Sequence, residues 1–436
     1  MTTLRRGECP GVTHPLQTGD GWLARLVPFA PIALADIAAL CEASLAHGNG
    51  MLEITQRGNL QVRGLSAASA PHFAALVQTL NLPADTRVPL LTSPLLGLDA
   101  DEVLDGRALF EELRAAVGRC AAIADIHPKV SVIFEGGGAL RLDDVAADVR
   151  INLLSANSVE IRLAGNALTS WQLGYVAPGD LTSTVIAVLS AIAAQGAHAR
   201  ARDLNGAGPL RHTLASVWRP ATPRKPTPAR NPIGQHRLKD GLLALGLAFP
   251  FGQIHARDLL LLARRAGHEG ASALRPTAGK VCLVVGLTEV ALPRFRAFAA
   301  TSNLITDAAD PRRYVTCCAG APACSAASVS TRDWAPRITQ AAHHLLDGSI
   351  QVHLSGCAKG CGQPRAAALG FVGPHGVLVH DQAAGLTTGT ASVEQFASGI
   401  AHLNGLSHAR LLGQTSADLL ARMGAVNVLA TLGAQA

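Results

Sequence analysis

The sequence predicts an α+β protein built twice, and three observations lead there. Asp20-Gly-Trp-Leu-Ala-Arg-Leu-Val-Pro-Phe resembles Asp240-Gly-Leu-Leu-Ala-Leu-Gly-Leu-Ala-Phe-Pro. A fourteen-residue segment, Leu52–Leu65, is matched by a second, Leu274–Leu287, and both end Gly-Leu. Between the copies lies Arg219–Asp240, where RPATPRKPTPARNP carries five prolines. Proline fixes φ and gives up a backbone donor, so this stretch reads as an extended linker. Two weakly similar halves at such a distance are the mark of duplication, with an active site expected between them. A chain of 436 residues has ample length for several domains.

Each copy opens with an apolar strand followed by a helix. In the first, Ile37, Leu40, Cys41 and Leu45 recur at helical spacing; in the second, Leu259–Leu262 supply the apolar face. A strand over Leu52–Leu65 comes next, with Leu274–Leu287 as its counterpart. On the first of these, Arg57, Gln61 and Arg63 stand at even spacing and are expected on one side, with Ile54 and Val62 alternating. Such a polar face either meets solvent or lines a polar pocket. The second copy has Gly279, Leu283 and Val285 at the matching positions, so one half has kept the polar face and the other has lost it. A helix is expected over Val103–Val117, capped by Asp99 or Asp101. Gly136-Gly-Gly138 lacks a phosphate-loop pattern and reads as a turn. Ala366–Val372 and Val377–His380 flank Gly-Pro-His-Gly and read as a β-hairpin.

Composition is that of a soluble globular protein. The formal charge is +6, and only five of the cations are Lys. Codon bias accounts for an Arg excess, but guanidinium groups also clamp carboxylates through paired hydrogen bonds, which suits a polyanionic substrate. Nucleic acid is a poor partner for this chain, since aromatics are 4% and no basic run stands out. The N-terminus has no apolar signal core, and the apolar runs Leu181–Ala194 and Gly241–Phe251 are too short or too polar to span a bilayer. Nine cysteines without a secretion signal indicate a cytoplasmic protein, and the odd number argues against a disulfide framework.

Four cysteines stand apart. Cys318-x5-Cys324 and Cys357-x3-Cys361 sit in segments rich in Gly, Ala and Ser. Four thiolates are the ordinary ligands of a 4Fe–4S cluster, and small neighbours let backbone amides reach its sulfides. A zinc knot or a pair of disulfides are the alternatives; zinc usually takes tighter C-x2-C knuckles, and disulfides need an oxidising compartment. Cys317 could take the place of Cys318. Lys359, inside the second loop, could neutralise cluster charge or contact substrate. Cys41, Cys120 and Cys282 read as core, and Cys9 lies in a turn that could approach the site.

These cysteines, with Thr55-x-Arg-x-x-x-Gln-x-Arg-Gly in a duplicated chain, resemble the nitrite/sulfite reductase superfamily. Pro128-Lys129 before the strand Val130–Phe134 and the Leu91–Gly97 segment resemble the same family. The resemblance implies two ferredoxin-like half-domains and two larger α+β domains with pseudo-two-fold symmetry, a tetrapyrrole between the halves and a 4Fe–4S cluster beside it. The implied divisions are 1–82 and 241–303 for the half-domains, 83–218 and 304–436 for the larger domains, and 219–240 for the linker.

Within the superfamily, Cys9-Pro-Gly-Val-Thr-His-Pro-Leu-Gln-Thr-Gly-Asp-Gly and His353–Pro364 most resemble the oxygen-dependent hydroxylase of aerobic cobalamin biosynthesis. That resemblance implies a monooxygenase converting precorrin-3A to precorrin-3B by hydroxylating the macrocycle and closing a γ-lactone. Its implied partners are molecular oxygen and NADH, the latter acting directly or through a reductase. Its implied cofactors are the cluster on Cys318, Cys324, Cys357 and Cys361 and a mononuclear non-haem iron. Arg25, Arg57, Gln61, Arg63 and Lys129 would orient the substrate carboxylates. The alternative is a sirohaem-dependent sulfite or nitrite reductase. Ser131 counts against it, because reductases often keep a second Lys two positions after the one matching Lys129. No ligand triad for a mononuclear iron stands out; His14, His127, His353 and His375 lie near the informative segments, but a lone His is more often structural.

Overall fold

The computed structural model describes residues 10–80, 82, 87–204, 210, 229–362, 367–381 and 385–435. Cys9 and residues 219–228 of the expected linker lie outside the described residues. The first copy runs β1 (Leu16–Thr18), β2 (Gly21–Leu26), β3 (Ile32–Ala33), α1 (Leu34–His47), β4 (Met51–Ile54), β5 (Leu60–Leu65) and α2 (Ser69–Thr79). A larger segment continues as β6 (Leu90–Thr92), α3 (Arg107–Arg119), β7 (Val132–Glu135), β8 (Ala147–Ser155), β9 (Ser158–Gly165), β10 (Trp171–Val176) and α4 (Leu181–Ala194). The second copy is β11 (Gly234–Arg237), β12 (Leu243–Ala248), β13 (Gln253–His255), α5 (Ala256–His268), β14 (Ala273–Thr277), β15 (Val281–Leu287) and α6 (Ala291–Thr301). Its larger segment is β16 (Val315–Cys317), α7 (Thr331–Ala341), β17 (Val352–Ser355), β18 (Leu369–Val372), β19 (Gly376–Asp381), β20 (Gly385–Thr390), α8 (Val393–Ser407), α9 (Ser416–Met423) and α10 (Ala425–Thr431).

The expected duplication is present strand for strand. The two small sheets have the orders β1-β2-β5-β4-β13 and β11-β12-β15-β14-β3. Each takes its fifth strand from the other copy. The registers agree as well: Leu52 faces Val62 as Leu274 faces Val284, and Glu53 faces Gln61 as Arg275 faces Leu283. Arg275 is buried in β14 and donates to Pro28 O, Pro94 O and Thr92 Oγ1. It thereby ties the second copy to the chain leaving β2 and β6. Burial lowers its pKa to about 10.

Two expectations need correction here. Leu52–Leu65 is a hairpin, β4 and β5, and so is its counterpart, β14 and β15. Alternation alone does not reveal the turn at Gly58, whose φ is +81°. A Cβ there would lie 2.6 Å from the carbonyl carbon of Thr277, so close approach of the other copy demands glycine. Arg57 consequently sits in the turn, bridging Ala278, rather than on one strand with Gln61 and Arg63. The expected helix over Val103–Val117 starts later, at Arg107 from Gly106. Asp99 does not cap it; its carboxylate accepts from the amides of Asp101, Ala139 and Leu140 instead.

The larger sheets also match. β6, β7 and β8 pair in parallel and β8, β9 and β10 antiparallel. β16, β17 and β18 pair in parallel and β18, β19 and β20 antiparallel. Phe110, Leu113 and Val117 of α3, with Val185, Val188 and Ile192 of α4, build one core. Ala335 and Ile338 of α7, with Phe396 and Ile400 of α8, build the other. Each buried Leu, Ile or Phe contributes roughly 1.5–3 kcal/mol of apolar transfer, which holds the helices on the sheets.

By internal contacts the chain forms two compact units. One comprises Met1–Leu16, Leu23–Ala248 and Ile254–Ser302, the other Gln17–Trp22, Phe249–Gln253 and Asn303–Ala436. No helix among the described residues is long and apolar enough to cross a membrane.

Candidate functional site

In the second unit, the loops after β16 and β17 bring the four cysteines together. Burial pushes the Cys361 thiol up, the neighbouring thiols of Cys318, Cys357 and Cys324 push further, and Lys359 opposes them. Cys318 comes directly after β16, where its amide donates to Leu354 O at 3.0 Å. Its sulfur accepts the amide of Gly356 at 3.2 Å, and Thr331 Oγ1 holds its carbonyl at 2.8 Å. Ser355 Oγ holds the Cys357 carbonyl at 2.7 Å. Cys317, by contrast, is a strand residue of the core, 3% exposed.

Glycines make the cradle. A Cβ on Gly356 would stand 2.6 Å from that of Ala327, and one on Gly320 would stand 2.4 Å from Thr331 Oγ1. Gly19, from the motif between β1 and β2, donates to Ala323 O at 3.2 Å, and a Cβ there would meet Pro322 O at 2.5 Å. The hairpin of β18 and β19 closes the same region: Gly373 donates to Ser355 O at 2.8 Å. Among the described residues no three His, Cys, Asp or Glu side chains close around one metal ion. A zinc site would draw every sulfur to about 2.3 Å from a common centre. Four neighbouring thiols with an amide directed at one sulfur are the donor set of an iron–sulfur group.

The first unit carries the cations. Arg57 Nη2 donates to Ser131 Oγ at 3.0 Å, so the hairpin turn meets the segment just beyond Pro128-Lys129. Ser131 N donates to Asp148 Oδ2 at 3.0 Å. Asp148 also takes Arg200 through two bonds, at 2.9 and 2.8 Å. Lys129 is exposed at the edge of this group. Gln61 and Arg63 lie on β5, where Arg63 is buried and reaches Glu53 at 3.5 Å. Arg25 lies on β2, half-buried, with its Nε buried and without a hydrogen-bond partner. Arg57, Ser131 and the Lys129 segment are thus brought together, whereas Arg63 is taken up by its own hairpin.

Over 440 residues the chain is 34% identical to the precorrin-3B synthase of a Sinorhizobium species, spanning 99% of this chain and 95% of that protein. The chain belongs to the precorrin-3B synthase family. It is 25% identical to the ferredoxin–nitrite reductase of Synechococcus elongatus, across 82% of this chain and 77% of that one. It is also 25% identical to a sulfite reductase (ferredoxin) of Mycobacterium tuberculosis, across 78% and 68%. A solved structure of the Mycobacterium tuberculosis NirA protein superposes with a TM-score of 0.75 at 19% identity, covering 93% of this chain and 84% of that chain. No protein-family model matches. The nitrite/sulfite reductase superfamily fold is therefore shared by this precorrin-3B synthase-family chain.

In this family member, Ser131 has a specific task. It receives Arg57 on its hydroxyl, which a lysine ammonium, carrying only donors, could not do. Asp148 and Arg200, which sequence reasoning missed, are hydrogen-bonded to each other and through Asp148 to Ser131. Arg200 lies 52 positions from its partner, and no local pattern announces such a pair. Of the histidines, His353 is buried on β17 with Nδ1 3.2 Å from Thr316 Oγ1, and His14 Nδ1 lies 2.8 Å from Thr13 Oγ1. His375 lies in the turn joining β18 and β19. His127 stands within the cationic group, beside Arg200, Lys129 and His198.

Proposed function

We propose that the chain is an oxygen-dependent monooxygenase of cobalamin biosynthesis, hydroxylating precorrin-3A and closing a γ-lactone to give precorrin-3B. The full-length similarity to a precorrin-3B synthase carries this reading. Cys318, Cys324, Cys357 and Cys361 fit a 4Fe–4S cluster, which would supply one-electron transfer. The small residues of both loops admit such a group, and the Gly356 amide would polarise its Cys318 ligand. A mononuclear non-haem iron belongs to this reading by the family resemblance alone.

Arg25, Arg57, Gln61, Arg63 and Lys129 are assigned to the substrate carboxylates. Within that set, Arg57 is held by the Ser131 hydroxyl through Nη2. Fixing a guanidinium before the carboxylate arrives lowers the ordering cost of binding. Arg63, paired with Glu53, is the weakest member of the set. NADH is assigned as the electron source, direct or through a reductase, and the cytoplasm as the compartment. A sirohaem-dependent sulfite or nitrite reductase is the second reading, favoured by the 25% identity to such enzymes. Ser131 argues against it, because reducing those anions needs closely spaced proton donors.

The test is product analysis under labelled oxygen gas, preceded by a visible spectrum of the anaerobically purified protein. A broad brown absorption without a Soret band, and one labelled oxygen atom in the product of precorrin-3A, is the expected result. A resident sirohaem with turnover of sulfite or nitrite would replace this reading with the second.

A further inference from the structure

Beside Arg57, several donors crowd round one carboxylate. Asp148, 3% exposed, is fully engaged by Arg200 Nε and Nη2, Ser131 N and Ala201 N at 2.8–3.0 Å. It cannot also neutralise the remaining cations. His127 faces Arg200, Lys129 and His198, and Asp148 opposes their effect on it. The His127 and His198 rings stand 5.9 Å apart, edge to face. Lys129 and His198 are exposed, while His127 and Arg200 are half-buried.

His127 Nδ1 accepts the backbone amide of Lys129 at 3.2 Å. That bond places the proton of the neutral ring on Nε2. Burial, Arg200, Lys129 and His198 all hold the ring below its ordinary pKa, against the weaker pull of Asp148. An arriving carboxylate reverses the balance. With a proton on Nδ1, the ring releases the Lys129 amide, and both N–H groups become donors for an anion.

We propose that His127, His198, Lys129 and Arg200 form a carboxylate-binding subsite for the tetrapyrrole, which takes up one proton from solvent at His127 Nδ1 when the carboxylate binds. This deepens the function proposed above and rests on its tetrapyrrole substrate. Acetate and propionate groups are mostly ionised from about pH 5.5 to 8, and histidine is the side chain that changes charge in that window.

The experiment is binding of uroporphyrin, a fluorescent metal-free octacarboxylate, to the cluster-loaded full chain between pH 5.5 and 8. Affinity is expected to be about tenfold higher at the acid end, the equivalent of one unit of pKa change on binding. His127→Gln should flatten that dependence to within about twofold, and calorimetry in two buffers should show its proton uptake lost. His198→Ala, which removes one member of the subsite, should weaken binding while keeping the proton uptake at His127. An unchanged slope in His127→Gln overturns the subsite while leaving the tetrapyrrole reading intact. No uroporphyrin binding at any pH overturns both.

Discussion

The two larger sheets share one topology, yet the loops leaving their first strands differ in one atom type. After β6, Ser93 donates its amide to Phe134 O and accepts the Gly136 amide on its hydroxyl, at 2.9 and 3.1 Å. After β16, Cys318 donates its amide to Leu354 O and accepts the Gly356 amide on its sulfur, at 3.0 and 3.2 Å. The hydrogen-bonding frame is the same. In the first sheet the loops are filled by carboxylates: Asp99 holds the amides of Ala139 and Leu140, and Glu102 holds that of Gly97 and the Lys239 ammonium. In the second, three further thiols join Cys318. One scaffold thus has a polar plug in one copy and a set of soft ligands in the other, and the backbone does not decide which.

The sharpest way to test the contrast is to make the second loop like the first. Cys318→Ser should abolish iron and acid-labile sulfide binding, as should serine at Cys324, Cys357 or Cys361. Cys317→Ser should retain both, at a cost in stability for a hydroxyl in the core. Full iron in Cys318→Ser and none in Cys317→Ser would reverse the ligand assignment. Breaking the plug comes next. Asp99→Ala leaves buried amides without an acceptor and should cost about 3 kcal/mol of folding stability, read by denaturant unfolding, with iron content unchanged.

The division of labour between the copies predicts a third result. Arg57→Ala should weaken tetrapyrrole binding by about thirtyfold, or 2 kcal/mol, and leave cluster content intact. Equal loss of both would show that the cationic turn supports folding rather than binding.

The smallest effect is in pH. In the first larger domain, burial drives the Glu135 carboxyl from 4.5 up to about 7 despite the Arg150 guanidinium at 3.1 Å. The folded chain keeps a proton there that the unfolded chain releases, so stability falls as pH rises from 4.5 to 7. In the second, burial would raise the Asp347 carboxyl, yet hydrogen bonds from Ser349, Ser416 and Arg410 bring it from 3.8 down to about 2. Its contribution is complete above pH 3.8 and disappears as pH falls towards 2. Glu135→Gln should flatten the first slope only, and Asp347→Asn the second only, in unfolding titrations across pH.

Much of this was legible in the chain itself. The repeat of Leu52–Leu65 in Leu274–Leu287 carried the duplication, and the spacing of Cys318, Cys324, Cys357 and Cys361 carried the iron–sulfur reading, because both are local patterns. The hairpin about Gly-Pro-His-Gly was legible, as β18 and β19 show, but the tip joining β4 to β5 was not. Gly58 is required by the backbone of Thr277, more than two hundred residues away in sequence. Asp99 resembles a helix cap by position, but the amides of Ala139 and Leu140 outcompeted the helix for its carboxylate.

The sequence by itself determined the twofold α+β plan, the four thiols and the excess of Arg over Lys, since periodicity, spacing and residue chemistry do not depend on distant neighbours. Tertiary structure alone decided that Cys317 belongs to the core and Cys318 to the cradle, because the two differ only in which side of the strand end they occupy. It also decided that each small sheet borrows a strand from the other copy and that Arg57, Ser131, Asp148 and Arg200 form one hydrogen-bonded chain. Those outcomes depend on which buried donors find acceptors across long stretches of sequence, and that matching is settled only when the chain is packed.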